Sequence, residues 1–161
     1  MNLDEVGQDI LDAVLKFSNW SHNPTAAPLP ITLAAKWEGP LPFFINNFES
    51  ATYPILVVYP TSWPGFREVQ LHQVSLRYTG VLNYLYKAST GENPFEKSRE
   101  GISKICINIY ESNRLGLSYV NDIKFGSLKG PYEMDDITQY LFGLQIAAAT
   151  LDFSINTTLV L

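Results

Sequence analysis

The side chains able to do chemistry are few and scattered. The 161 residues hold two histidines, His22 and His72, and a single cysteine, Cys106. A zinc site gathers three or four nitrogen and sulfur ligands. Two histidines far apart and one thiol do not make that set, so no metal is expected. Cys106 has no partner for an intrachain disulfide, which fits a reducing compartment. Its neighbours Ile102, Ile105 and Ile109 recur at helical spacing, so the thiol reads as part of a core. The pair Asp135–Asp136, with Glu133 nearby, is the only carboxylate cluster worth a chemical reading. Paired carboxylates can hold a divalent cation or share a proton. Adjacent side chains on an extended chain point apart, however, and this pair follows Gly130–Pro131, so a solvated loop is expected. Neither a G-x-S-x-G elbow nor a phosphate-cradling G-x-x-x-x-G-K-[ST] is present. No catalytic, cofactor or metal residue is assigned, and the chain reads as non-enzymatic. What remains is contact chemistry. Trp63 and Phe66 lie on the segment Thr61–Phe66 (TSWPGF), read as a turn, and Phe95 lies in a polar loop over 87–97. Exposed aromatics of this kind mark interfaces. The alternative is that Trp63 and Phe66 fold back over a sheet.

The elements that must position these groups follow from periodicity. Leu3, Val6, Ile10, Val14 and Phe17 predict an amphipathic helix from Asn2 to about Phe17. Asn2 caps it, and Asp4 and Glu5 sit where the helix dipole favours negative charge. Eight of the ten prolines fall within residues 24–64. The aromatics between them (Trp37, Phe43, Phe44, Phe48, Tyr53) argue for ordered, irregular chain wrapped on the core. Ile31–Trp37 is expected as a short strand or helical turn, and Ile55–Tyr59 as a buried strand bounded by Pro54 and Pro60. Val69 to about Tyr86 reads as a long strand region, with Gly80 a bulge or bend. A helix is expected over Ser98–Asn113, then strands over Leu117–Phe125 and Tyr140–Ile155. In the last of these, alternation at Tyr140, Phe142, Leu144, Ile146 and Ala148 resumes one step out of phase at Leu151, Phe153 and Ile155. That slip predicts a β-bulge or sharp bend near Ala149. Strands in runs with segregated helices give an α+β fold: one domain over 1–161, a mostly antiparallel or mixed sheet, and an N-terminal and a central helix packed on it.

Hydrophobic residues make up 46% and charged residues only 17%, below the usual quarter. The shortfall suits a surface partly covered by partners. The net charge of −5 disfavours a nucleic-acid-binding patch. The acid is uneven: residues 1–60 hold six acidic and two basic side chains, the remainder ten and nine. The N-terminus has no basic region followed by an apolar core, so no signal peptide is expected. No apolar run is long enough to predict a membrane span. The apolar end Thr158–Leu161, with Leu159, Val160 and Leu161, needs something to lie against, either within the sheet or on another subunit.

The order of elements resembles the tail terminator family of tailed bacteriophages, also called tail completion or neck proteins. The resemblance is carried by the N-terminal amphipathic helix and by the proline-rich passage into Tyr53-Pro54-Ile55-Leu56-Val57-Val58-Tyr59-Pro60. The strand pair, the second helix and the aromatic alternating run Tyr140–Ile155 complete it. It implies a virion structural protein of the tail or neck, assembled in the host cytoplasm and needing no cofactor. Such a protein forms a homo-hexameric ring on the last ring of the tail tube. The ring stops tube polymerisation and meets the head-side connector protein, and DNA passes through its channel without specific binding. Loops over 60–68 would then face the tube, and 87–97 and 126–136 the neighbour or the channel. The competing expectations are another neck adaptor, a tube subunit, or a small ligand-binding domain or enzyme without a recognisable motif.

Overall fold

The helix expected first forms where the local signals place it. In the computed structural model, which describes residues 2–19, 31–37, 47–129 and 136–161 (side chains of 33, 129 and 136–139 excepted), α1 spans Leu3–Ser18. The Asn2 side chain accepts from the Asp4 backbone N–H at 3.0 Å, satisfying one of the donors a helix start leaves orphaned. Ile10, Leu11 and Val14 are fully buried on its inner face. Burying side chains of this size stabilises by about 1.5–3 kcal/mol each.

Five strands form one mixed sheet in the order β1-β2-β3-β5-β4. They are β1 (Leu33–Lys36), β2 (Ile55–Gln70), β3 (Gln73–Lys87), β4 (Val120–Lys129) and β5 (Ile146–Val160). Only β1 pairs in parallel, with Ile55–Val58 of β2; every other pairing is antiparallel. Helix α1 and the central helix α2 (Pro94–Glu111) pack on one face. They are tied together where Asn108 Nδ2 donates to the Ser18 carbonyl at 2.9 Å. A short helix α3 (Asp136–Gly143) precedes β5. The fold is the expected single α+β domain with its N-terminal and central helices on the sheet.

Several boundaries differ from expectation, each for an identifiable reason. Thr61–Phe66 is not a turn. Strand β2 runs through it, with irregularities between Pro60 and Ser62, Ser62 and Gly65, and Phe66 and Glu68. Proline is tolerated in a strand whose N–H side lacks a neighbour, and beyond Val58 no described strand flanks the outer side of β2. The expected strand over Val69–Tyr86 is the end of β2 and most of β3. The chain reverses at Leu71–His72, with His72 in the left-handed region at φ 62°. At Gly80 β3 keeps its register with β5, and the irregularity lies opposite, on β2. A Cβ at Gly80 would come within 2.5 Å of the Phe153 ring, which is why glycine sits there.

Helix α2 starts a turn earlier than Ser98. Asn93 accepts from the Phe95 and Glu96 backbone N–H groups, and Pro94 occupies the first turn, where its missing N–H costs nothing. The loop is correspondingly shorter than 87–97. Helix α2 leads into a left-handed turn, with Asn113, Arg114, Leu115 and Gly116 at φ 52°, 59°, 58° and 67°. Strand β4 extends past Phe125, with irregularities between Val120 and Asp122 and between Phe125 and Leu128, so Gly126 is strand and not loop.

The last segment holds the largest difference. Tyr140–Gly143 is helix, and β5 begins only at Ile146. The helix turns into the strand at Gln145, with φ 62°, and the phase slip lies inside β5 itself, where Ile146 and Ala148 pack in one apolar cluster and Leu151, Phe153 and Ile155 in another on the opposite face. No bulge occurs near Ala149: β3 and β5 pair without a shift from Gln73↔Val160 to Lys87↔Ile146. Strand β5 lies inside the sheet, between β3 and β4.

Alternation along the strands builds two apolar clusters on opposite faces. Leu56, Val58, Leu76, Tyr78, Leu82, Tyr84, Ala149, Leu151, Phe153 and Ile155 face the helices with Ile10, Leu11, Ile102, Ile105 and Ile109. On the other face Ile55, Val57, Leu85 and Ile146 form a smaller cluster, closed by Phe48 and Leu141 and packed with Trp37, Tyr53, Tyr59 and Leu144. That second cluster covers one end of the sheet only.

Candidate assembly interface

The other end of the sheet is built by the β2–β3 hairpin and the end of β5. Leu161 N–H donates to the His72 carbonyl at 2.9 Å, and Val160 stands opposite Gln73. The two segments singled out in the sequence, 61–66 and 158–161, therefore share one end of the molecule. Phe66 pairs with Leu76 and Val69 with Val74, so both lie on the helix-bearing side, outside the core. Five large apolar side chains are exposed at this end: Phe66 (64%), Val69 (69%), Leu71 (87%), Val160 (70%) and Leu161 (66%). Single exposed apolar residues are ordinary, and five at one end of a sheet mark that end as a candidate contact surface; Phe66 and Val69 stand on its helix-bearing face, and Val160, opposite Gln73, on the other.

The edge of β2 beside this group is poorly suited to accept another strand. Pro60 and Pro64 remove donors, the register breaks three times, and Arg67 and Glu68 put charge on the edge. Proteins blunt their free edges by these devices. Contacts here must therefore be made by side chains.

Two of the six candidate residues spend their side chains inside the domain. Leu159 is 3% exposed and lies in the main core. Trp63 turns back against α1. Its ring meets Tyr78 edge-on at 4.5 Å, and a Cβ at Gly7 would come within 2.1 Å of its Nε1. Gly7 is the residue that lets the indole seat on the helix. Beside it the Tyr78 hydroxyl donates to the Leu3 carbonyl at 3.2 Å. Burial, followed by the proximity of Tyr119 and Asp4, pushes that phenol up to about 12. Phe95 lies on the first turn of α2, half-buried, and stacks on Phe142 at 5.4 Å. Phe66, Val160 and Leu161 are the candidates that face outward. Leu71 and Val69 join them unpredicted. The change of phase between Val69–Leu71 and Val74–Leu76–Tyr78 was the available signal for the hairpin tip.

The chemically capable groups are not brought together. His72 is at the hairpin tip, while Cys106 is half-buried on α2, its thiol pushed up to about 12 by burial. A thiol so shifted is protonated at neutral pH and a poor nucleophile. His22, Glu133 and Asp135 lie outside the described residues, and Asp136 opens α3, not a loop leading straight into a strand. Among the described residues no group of three histidine, cysteine or carboxylate side chains is placed to hold a metal ion, and no helix is long and apolar enough to cross a membrane. The open sheet face carries a shallow hollow of about 550 Å³, with Thr61, Thr79, Lys124, Asp152 and Ser154 among its lining. These groups offer hydrogen bonds.

No protein-family model matches the chain, and no curated protein does. Among solved structures, the sheath/tube terminator of the PVC extracellular contractile injection system, in its extended state, is similar. The match has a TM-score of 0.46 at 11% identity over the whole of this chain and 57% of that one. The chain thus spans a little over half the length of that protein.

Proposed function

We propose that this chain is a structural assembly protein of the tail-terminator kind. It closes into a homo-hexameric ring on the last ring of a tail tube, stops further polymerisation and meets the head-side connector, while DNA passes through the channel. The order of elements along the chain, which resembles that of the tail terminators, supports the reading. The observation that carries the mechanical reading is the apolar end formed by Phe66, Val69, Leu71, Val160 and Leu161, beside an edge that resists strand addition. A terminator must bind one ring and then offer no template for the next. An end that docks through side chains, on a sheet whose β2 edge is blunted, meets both demands. The tube-facing contact is assigned to this end.

Negative-stain microscopy of the purified protein over a concentration series, with solution mass in parallel, tests the reading. Closed rings with a central pore are expected. Filaments that lengthen without limit would overturn it in favour of a tube subunit.

A further inference from the structure

Helix α1 rests on two unlike seats. Its second half joins the aliphatic core: Ile10, Leu11 and Val14 are fully buried in one cluster with Leu56, Leu82 and Ile105. Ser18 is tied to α2 through Asn108. Its first half lies on three aromatic rings. Trp63 of β2 seats against Gly7, and Tyr78 of β3 donates to the Leu3 carbonyl. Tyr119, just before β4, lies near the Tyr78 phenol and near Asp9. We propose that this first half is a latch, which lifts off its aromatic seat while the second half of α1 stays in place.

The aromatic seat holds an unmet demand. Trp63 Nε1 and the Tyr119 hydroxyl are buried without a hydrogen-bond partner, the only side-chain atoms of that kind among the described residues. A buried polar group left unpaired costs free energy that contact with water returns. Lifting the first half recovers that hydration, whereas lifting the second half exposes aliphatic side chains alone. The helix is also weakest between the two seats, because glycine inside a helix is less favourable than alanine. Gly7 stands there since a Cβ would come within 2.1 Å of Trp63 Nε1. The first half has little else to hold it. Leu3 and Val6 are half-buried, and Asp4, Glu5 and Asp9 are exposed. Lys36 Nζ donates to Gln8 Oε1 at 3.1 Å, but it also pairs with Asp12 of the second half at 2.7 Å.

Opening bares the Trp63 and Tyr78 rings. Trp63 stands on β2 shortly before Phe66, and both lie on the helix-bearing face. The open latch therefore extends the exposed apolar side chains of the hairpin end toward the middle of the sheet. Local openings of this kind cost less than global unfolding, and the moving parts of proteins are drawn from such segments. The latch follows from contacts within one chain and does not depend on ring formation.

Hydrogen exchange of the full chain, followed by NMR, tests it, because the Trp63 indole N–H gives a signal of its own. After correction for intrinsic rates, the amides of Gly7, Gln8 and Asp9 are expected to exchange together with Trp63 Nε1–H. They should do so about tenfold or more faster than the amides of Val14–Ser18. Two variants make the signature specific. Val14→Ala weakens the second seat only, so it is expected to speed exchange at Val14–Ser18 about tenfold and to leave Gly7–Asp9 and Trp63 unmoved. Tyr119→Phe deletes an unpaired hydroxyl, so it is expected to slow exchange at Gly7–Asp9 and Trp63 about fivefold. Three results would each overturn the proposal. Trp63 Nε1–H exchanging only as slowly as Val14–Ser18 would mean that the helix end frays without uncovering its seat. Equal acceleration of both halves by Val14→Ala would mean that α1 opens as one piece. Faster exchange in Tyr119→Phe would mean that its hydroxyl holds the latch shut.

Discussion

The two ends of the β2–β3–β5 layer are finished in opposite ways. At the Ile55–Leu85–Ile146 end both faces are covered, by α2 on one side and by Phe48 and Leu141 on the other. At the hairpin end only the helix-bearing face has a core, which stops at Val74 and Leu159, and the chain beyond them presents Val69, Leu71 and Val160 to solvent. The strands are the same three. What differs is the company they keep. The covered end spends its apolar side chains on stability, while the hairpin end leaves comparable side chains unspent, available to another molecule.

Leucines at the two ends give the sharpest break of this comparison. Leu85 is fully buried in the second cluster. Leu85→Ala removes its packing and leaves a cavity, and should lower stability by about 2–5 kcal/mol in denaturant unfolding. A cost below 1 kcal/mol would mean that the second cluster does not brace this end.

The next effect is at the boundary between core and hairpin. Gly7→Ala places a Cβ within 2.1 Å of Trp63 Nε1 and 2.5 Å of Cε2. The indole must shift off α1, and overpacking of this kind costs about 1–3 kcal/mol. Trp63 fluorescence should change with it. An unaltered spectrum and melt would show that the Trp63 ring does not sit on α1.

A smaller effect concerns the covered end. The Tyr53 hydroxyl donates to the Phe48 carbonyl at 2.6 Å, so Tyr53→Phe should cost about 1 kcal/mol at neutral pH. Burial, followed by the proximity of Tyr140, pushes the Tyr53 phenol from 10.0 up to about 12. Tyr84 is pushed to about 12 by burial first, then by Tyr86 and Glu100. A phenol held neutral to higher pH in the folded state than in the unfolded chain contributes its full share below pH 10. That share is lost as the pH rises from 10 to about 12. Unfolding midpoints measured against pH should therefore be level in tyrosine-linked terms up to pH 10 and fall above it, less steeply in Tyr53→Phe.

How much of this was legible depends on how local each signal is. Helix α1 was readable because its cap, its acidic first turn and its three- and four-residue spacing are all contained in the segment. The start of α2 was equally local, in Asn93–Pro94, and the polarity of the surrounding loop hid it. Strand β2 beyond Pro60 could not be read from its own residues. Proline ends a strand unless the outer side is unpaired, and that is a property of the whole sheet. Helix α3 was hidden by coincidence: Tyr140 and Phe142 alternate like strand residues, yet both are exposed and rest on Phe48 and Phe95. The contact surface was half legible. Phe66, Val160 and Leu161 were marked by residue type and position, whereas their meeting with Leu71 depends on a hairpin turn that contains no glycine, asparagine or aspartate.

The smallest expected change completes the comparison. Leu71→Ala removes the same atoms as Leu85→Ala, from a side chain that is 87% exposed instead of fully buried. With little burial to lose, its unfolding free energy should stay within about 0.5 kcal/mol of wild type. The measurement must be made on dilute protomer, because a second copy on the hairpin end would add its own binding free energy to the folded state. Repeating it at rising protein concentration then separates the two roles. If self-association buries the hairpin end, wild-type stability climbs with concentration and Leu71→Ala climbs less. Parallel curves would mean that the hairpin end contributes nothing to self-association, and that its apolar side chains are reserved for a partner other than this chain.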